Sequence, residues 1–185
     1  MTVASVVRRA DGRDEAEIWR LIRLAHDEND IYSLSEPKFA YHLEHVLYPE
    51  RYRNNTSVPR GVVGVIGPHE ALEAMIILLI GSVWYSDDVT MESAISFVDP
   101  AHRRSEHARA LLGYAKHIVD GIRRAHTDFR MTVGILSTSR TAAKMRLFSQ
   151  QLSPVGVYFC YPDLPEDIGP AGIKEALLTK KQREA

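Results

Sequence analysis

Apolar positions recur along this chain in two periods, and each switch between them marks a new element. Val3 to Val7 predicts a short first strand. From Asp14 to His26 the period is helical, with Ile18, Leu21, Ile22 and Ala25 on one face. Asp14, Glu15 and Glu17 stand in its first turn, where carboxylates suit the positive end of the helix dipole. Ser35 followed by Pro37 predicts a second helix start, and Phe39, Leu43, Val46 and Leu47 supply its apolar stripe. Tyr48 to Pro59 is polar and reads as a loop.

Gly61 to Ile66 predicts a strand ending at Gly67-Pro68. Leu72 to Trp84 is a longer, nearly continuous apolar run, and helix is its rival reading. The β-branching of Ile76, Ile77, Ile80 and Val83 favours a strand buried on both faces. Thr90 to Val98 is the next strand. Ser105 suits the N-cap of a third helix, in which Ala108, Leu111, Leu112, Ala115, Ile118, Val119 and Ile122 keep helical spacing. A strand over Met131 to Leu136 follows. A fourth helix is capped by Ser137, Thr138 or Ser139 and carries Thr141, Met145, Phe148 and Leu152 on one side. Val155 to Tyr161 reads as a last strand, and a short helix near Ile173 to Leu178 lies in the polar tail. This order predicts a mixed α/β (α+β) class: a central, mostly antiparallel mixed sheet with helices on both faces. We expect a single domain over residues 1–185, with a core over about 3–161 and a polar tail over 162–185.

Composition narrows the function classes. A net charge of −1 gives no global attraction to nucleic acid or to an acidic membrane, so neither is expected as a partner. Cys160 is the single cysteine and cannot form an internal disulfide, which fits a reducing compartment. No charged start followed by a long apolar run appears at the N-terminus, and the apolar stretch Ala74 to Ile80 falls far short of the about 20 residues a membrane helix needs. The expected location is cytoplasmic. His42 and His45 read as a surface pair, and no metal centre is expected.

The stretch Phe97 to Leu112, FVDPAHRRSEHARALL, carries the chemistry. A strand ends at Asp99-Pro100, a turn containing His102, Arg103 and Arg104 follows, and a long amphipathic helix begins. A helix N-terminus presents unpartnered N–H groups, and with two arginines beside it the turn suits a phosphate.

The same residues resemble the GNAT superfamily of N-acetyltransferases. Its motif, Q/R-x-x-G-x-G/A after a strand and opening a helix, aligns with Arg103-Arg104-Ser105-Glu106-His107-Ala108, and the element order over residues 3 to 161 is also that superfamily's. The resemblance implies that this turn cradles the pyrophosphate of acetyl-CoA, the expected co-substrate, through Arg103, Arg104, Ser105, Glu106, His107 and Ala108. It implies that the backbone of Phe97 and Val98 meets the pantetheine arm and polarises the thioester carbonyl. Ser139 and Thr141 stand nearest the asparagine that the family places at its fourth helix. Glu92 stands at the spacing of a family general base, and by strand alternation shares a face with Ala94, Ser96 and Val98, opposite Met91, Ile95 and Phe97. Phe148 takes the place of the family's tyrosine acid, which leaves Tyr158 or Tyr161 for that role. Glu106 replaces the motif's glycine. The link Asp27 to Ser33, acidic with one tyrosine, lies where the family builds its acceptor side. The implied activity is acetyl transfer to a primary amine by direct attack in a ternary complex, with a homodimer left open. The rival is a non-catalytic acyl-CoA-binding or protein-interaction module that keeps the fold.

Overall fold

The computed structural model describes residues 6–29, 32–55, 57–82, 85–135 and 140–155. The predicted last strand, the tail helix, Ser137, Thr138, Ser139, Tyr158, Tyr161 and Cys160 lie outside them. The chain divides into two compact units, Met1–Ala25 with Leu34–Gly134, and His26–Ser33 with Ile135–Ala185.

In the first unit the described residues form a five-stranded sheet in the order β1-β2-β3-β4-β5: Arg8–Arg9, Arg60–Ile66, Ala74–Ser82, Val89–Val98 and Arg130–Val133. The first three pairings are antiparallel and β4 pairs β5 in parallel. The mixed, mostly antiparallel sheet is therefore as predicted. Helix α1 (Glu15–Asp27), α2 (Glu36–Leu47) and α3 (His107–Arg123) follow the predicted spans closely. The long apolar run is a strand, buried on both faces from Ala74 to Leu78.

Alternation along β2 and β3 sorts the core into two layers. Val63, Val65, Met75 and Ile77 meet Ile18, Leu21 and Ile22 of α1 and Leu43, Val46 and Leu47 of α2. Val62, Ile66, Ala74, Ile76 and Leu78 meet Leu111, Ala115 and Val119 of α3. Helices thus cover both faces. Gly64 lies on the α3 side, where a Cβ would come 2.7 Å from the Tyr114 ring. Gly64→Ala forces that ring aside, and we expect a loss of about 1–3 kcal/mol, read as a lower thermal midpoint. An unchanged midpoint would mean that Tyr114 moves without cost.

Three local predictions are corrected. Among the described residues the first strand is Arg8–Arg9, with Val6 and Val7 outside it, while Val3 to Ser5 lie outside the described residues; Arg8 is drawn against the buried Asp14 carboxylate at 2.6 and 2.8 Å. The loop after α2 contains a 3-10 turn, Pro49–Tyr52. His45 is no surface residue: it is buried, its Nδ1 lies 2.6 Å from the Tyr41 carbonyl, and its ring centroid lies 4.0 Å from that of Tyr52, the two rings tilted by 37°. In the second unit, α4 spans Thr141–Ser149 behind Arg140, whose φ of 55° is left-handed.

Candidate active site

Strand β4 carries one more residue than its partner. Ile77 pairs with Ile95 and Leu78 with Ser93, so Ala94 is a bulge. The extra residue moves everything before it to the opposite face. Glu92, paired with Leu79, therefore lies on the α1 and α2 side with Ile95 and Phe97, while Ser93 faces α3 with Ser96 and Val98. This corrects the face expected for Glu92, because simple alternation holds only while the ladder is unbroken. Glu92 is exposed.

The bulge also marks where β4 loses its other neighbour. The parallel ladder to β5 ends at Ser93↔Val133, so Ala94 to Val98 have no strand partner on that side among the described residues. Phe97 is buried and Val98 half-buried. The Val98 carbonyl accepts from Arg103 Nε at 3.2 Å, and the Arg103 guanidinium lies 5.5 Å from the Phe97 ring centroid.

From Asp99 the chain makes a 3-10 turn, Pro100–His102, before α3. Proline suits the first position because its missing N–H would be unpaired there. The Asp99 side chain accepts the Ala101 N–H at 3.0 Å and Arg20 Nη1 at 2.7 Å. Burial pushes the Asp99 carboxyl up, but Arg20 and the Ala101 N–H outweigh it and hold it below the usual carboxylate range. Arg20 also donates to the Leu72 carbonyl at 2.7 Å and to Glu17, while Glu17 accepts the Leu72 N–H at 3.0 Å. One arginine of α1 thus ties together the start of the turn and the chain entering β3. The sequence points to Glu17 only as a first-turn carboxylate of α1 and gives no sign of a role for Arg20. Apart from their own i,i+3 pair, their partners Leu72 and Asp99 lie 52 to 79 residues away in sequence, and no local pattern points to them.

The N-cap of α3 is Glu106, not Ser105. The Ser105 hydroxyl donates to the His102 carbonyl at 2.6 Å and accepts the His107 N–H at 3.3 Å, so it caps from one position outside the helix. The Glu106 carboxylate is exposed and paired with Arg109 on the next turn. The first intrahelical bond runs from the Ala110 N–H to the Glu106 carbonyl at 2.9 Å. The Ala108 and Arg109 N–H groups precede it and bond to none of the described residues, as expected of a helix N-terminus. Arg104 is exposed. His107 is buried, its Nε2 2.6 Å from Glu73 Oε2.

The structure thus brings Phe97, Val98, Arg103, Arg104, Ser105, Glu106, His107 and Ala108 into one continuous strand–turn–helix corner, with Glu92 further back on the same strand. Thr141 opens α4 and Phe148 lies within it, both in the second unit. In the acidic link, His26 Nε2 lies 2.8 Å from the Tyr32 carbonyl, while Asp30 and Ile31 lie outside the described residues.

No family model and no curated protein matches the sequence. Solved structures do match its fold. A possible acetyltransferase from Clostridium difficile 630 aligns with a TM-score of 0.59 at 16% identity, over 86% of this chain and 98% of that one. The aminoglycoside acetyltransferase AAC(6')-Iy, in complex with the bisubstrate analogue CoA-S-monomethyl-acetylneamine, aligns with a TM-score of 0.59 at 11% identity, over 88% of this chain and 100% of that one. Another aminoglycoside acetyltransferase, meta-AAC0020 from an uncultured soil metagenomic sample with bound sisomicin, gives 0.55 at 15% identity, over 86% and 96%. With a mixed sheet, a bulged fourth strand and a turn that opens α3, this chain has the fold of the GNAT acetyltransferases.

Proposed function

We propose that this protein transfers the acetyl group of acetyl-CoA to a primary amine, of a small molecule or a protein, by direct attack in a ternary complex. The observation that carries this reading is the corner itself. Among the described residues, Ala94 to Val98 have one strand side free for an extended amide chain, and the same strand runs straight into a turn whose helical N–H groups at Ala108 and Arg109 have no partner. The residues fit a diphosphate: Arg104 stands exposed there, and the Glu106 charge is met by Arg109. Neighbours of the same fold named as aminoglycoside acetyltransferases support an amine acceptor.

In this reading the turn from Arg103 to Ala108 anchors the diphosphate. Main-chain N–H groups near Phe97 and Val98 hold the developing oxyanion. Glu92 takes, directly or through water, the proton that the acceptor ammonium must lose before the neutral amine attacks the thioester. Ser139 and Thr141 bond the pantetheine arm. Tyr158 and Tyr161 are the hydroxyls left for the departing thiolate, because Phe148 has none.

A second reading keeps the fold as a non-catalytic acyl-CoA-binding or interaction module, and Glu106 and Phe148 favour it. Calorimetry with acetyl-CoA, followed by turnover against a panel of amines, separates the two. Binding with turnover supports the enzyme, binding with no turnover supports the acyl-CoA-binding module, and no binding removes both of these and leaves a structural or interaction role for the fold. Arg104→Glu places a like charge beside the diphosphate, and we expect about tenfold weaker acetyl-CoA binding, the deficit shrinking as salt is raised. Unchanged affinity would place the diphosphate elsewhere.

A further inference from the structure

The connection from β2 to β3 and the turn from β4 to α3 meet over one carboxylate. The Glu73 N–H donates to the Ile66 carbonyl at 2.9 Å, and the Glu73 carbonyl accepts the Asp99 N–H at 2.9 Å. The Asp99 carbonyl then takes the His102 N–H at 2.8 Å. These main-chain bonds hold residues 73 and 102 side by side independently of their side chains. On that frame Glu73 Oε2 lies 2.6 Å from His107 Nε2 and 3.4 Å from His102 Nδ1. The two imidazoles lie nearly parallel, 21° apart, with centroids 6.1 Å from each other. The three donor atoms all fall within 4.8 Å of one another.

His107 is an unexpected choice for its position. It begins α3 on the face that buries Leu111 and Ala115, where an apolar side chain would cost nothing. An imidazole there needs a polar partner, and the fold supplies a carboxylate together with a second imidazole aimed at the same oxygen.

We propose that Glu73, His102 and His107 bind a divalent transition-metal ion of the zinc type. Two imidazoles and one carboxylate are the donors of such borderline ions, whereas magnesium and calcium take oxygen. Ligands tetrahedrally placed about 2.0–2.1 Å from zinc stand about 3.3 Å from each other. The Glu73–His102 pair is already at that spacing, the Glu73–His107 pair opens by about 0.7 Å to reach it, and the two imidazole donors, within 4.8 Å of each other, close by at most about 1.5 Å. Glu73 and His102 keep 32% and 42% of their side-chain surface exposed, so the remaining coordination position faces solvent and takes water or an anion.

The other two clusters are poorer. In Asp11, Asp14 and His69, both oxygens of Asp14 are held by the Arg8 guanidinium, a cation where the metal would sit. At His42 and His45, the His45 Nδ1 already faces the Tyr41 carbonyl. Of the three ligands only His107 lies in the turn assigned to acetyl-CoA, and the ion takes its imidazole, which is turned inward to Glu73.

The test is titration of the metal-free full chain with Co²⁺, followed by visible absorption, and with Zn²⁺ by calorimetry, both without acetyl-CoA. We expect one saturable site per chain, with the intense absorption of low-coordinate cobalt. His102→Ala and Glu73→Gln should each weaken binding at least about tenfold. His69→Ala should leave it unchanged. His102 is half exposed, so its variant should keep the wild-type circular dichroism even if a variant at the buried His107 misfolds. Absence of saturable binding, or full affinity in folded His102→Ala, would overturn the site.

Discussion

Asp14→Ala should lower the stability of this protein by about 3 kcal/mol at neutral pH. Asp14 is fully buried at the end of a 3-10 turn, Gly12–Asp14, and its carboxylate is held by a guanidinium, a main-chain N–H and an imidazole. Arg8 bonds both oxygens at 2.6 and 2.8 Å, the Asp11 N–H donates at 2.9 Å, and His69 Nδ1 lies 2.7 Å away. Arg8 further donates to the carbonyl of Gly67 at 3.1 Å. Gly67 has a φ of +108°, which only glycine adopts without strain. One carboxylate therefore joins β1, the start of α1 and the turn after β2. Removing it leaves a guanidinium facing the interior. We take the lower end of the range for broken buried pairs because the Arg8 side chain is 31% exposed and can turn toward water.

The loss should appear as a thermal midpoint lower by about 6–12 °C. Its pH dependence has a definite sign. Burial pushes the Asp14 carboxyl up, but Arg8, the Asp11 N–H and His69 outweigh it and hold it below the usual range. Such a group contributes fully above its unfolded value of about 3.9 and loses that contribution as pH falls through the folded value. The gap between wild type and variant should be full at neutral pH and close in strong acid. A midpoint within about 2 °C of wild type at neutral pH would contradict the role given to this carboxylate.

Glu92→Gln should lower kcat about a hundredfold while leaving acetyl-CoA affinity unchanged. Glutamine keeps the shape and the hydrogen-bonding reach of the side chain but cannot take a proton. The nucleophile must be a neutral amine, so the deficit should be largest at pH values where the acceptor is mostly protonated and shrink as pH rises. Glu92 pairs across the sheet with Leu79 on one side and Thr132 on the other, and its own side chain is exposed while Met91 and Ser93 are buried on the opposite face, so the substitution leaves those buried residues in place. A fall in both kcat and cofactor affinity would indicate damage to β4 rather than loss of a base. Equal rates would remove Glu92 from the reaction.

Much of this fold was legible in the order of residues, and the misses share one cause. The stripe of α3 and the β-branched run of β3 each bury the faces their periods predict, because both report a chain against one continuous apolar surface. The bulge at Ala94 was not legible. It exists only in the count of β4 residues against β3 residues, and it alone moved Glu92 to the other face. The cap of α3 shifted from Ser105 to Glu106 because the Ser105 hydroxyl is taken by the His102 carbonyl, a contact created by the 3-10 turn. His107 gave no sign of its partner, since Glu73 lies 34 residues earlier.

What the sequence determined by itself was the order of elements, the layers they bury into, and the position of a basic turn at a helix start. These are local properties, set by which side of a strand or helix each residue occupies. Only the tertiary structure decided which face Glu92 presents, that Arg20 of α1 pins the turn through Asp99, and that two histidines converge on Glu73. Register and charge pairing are relations between segments far apart in the chain, and they acquire values only when those segments are packed together.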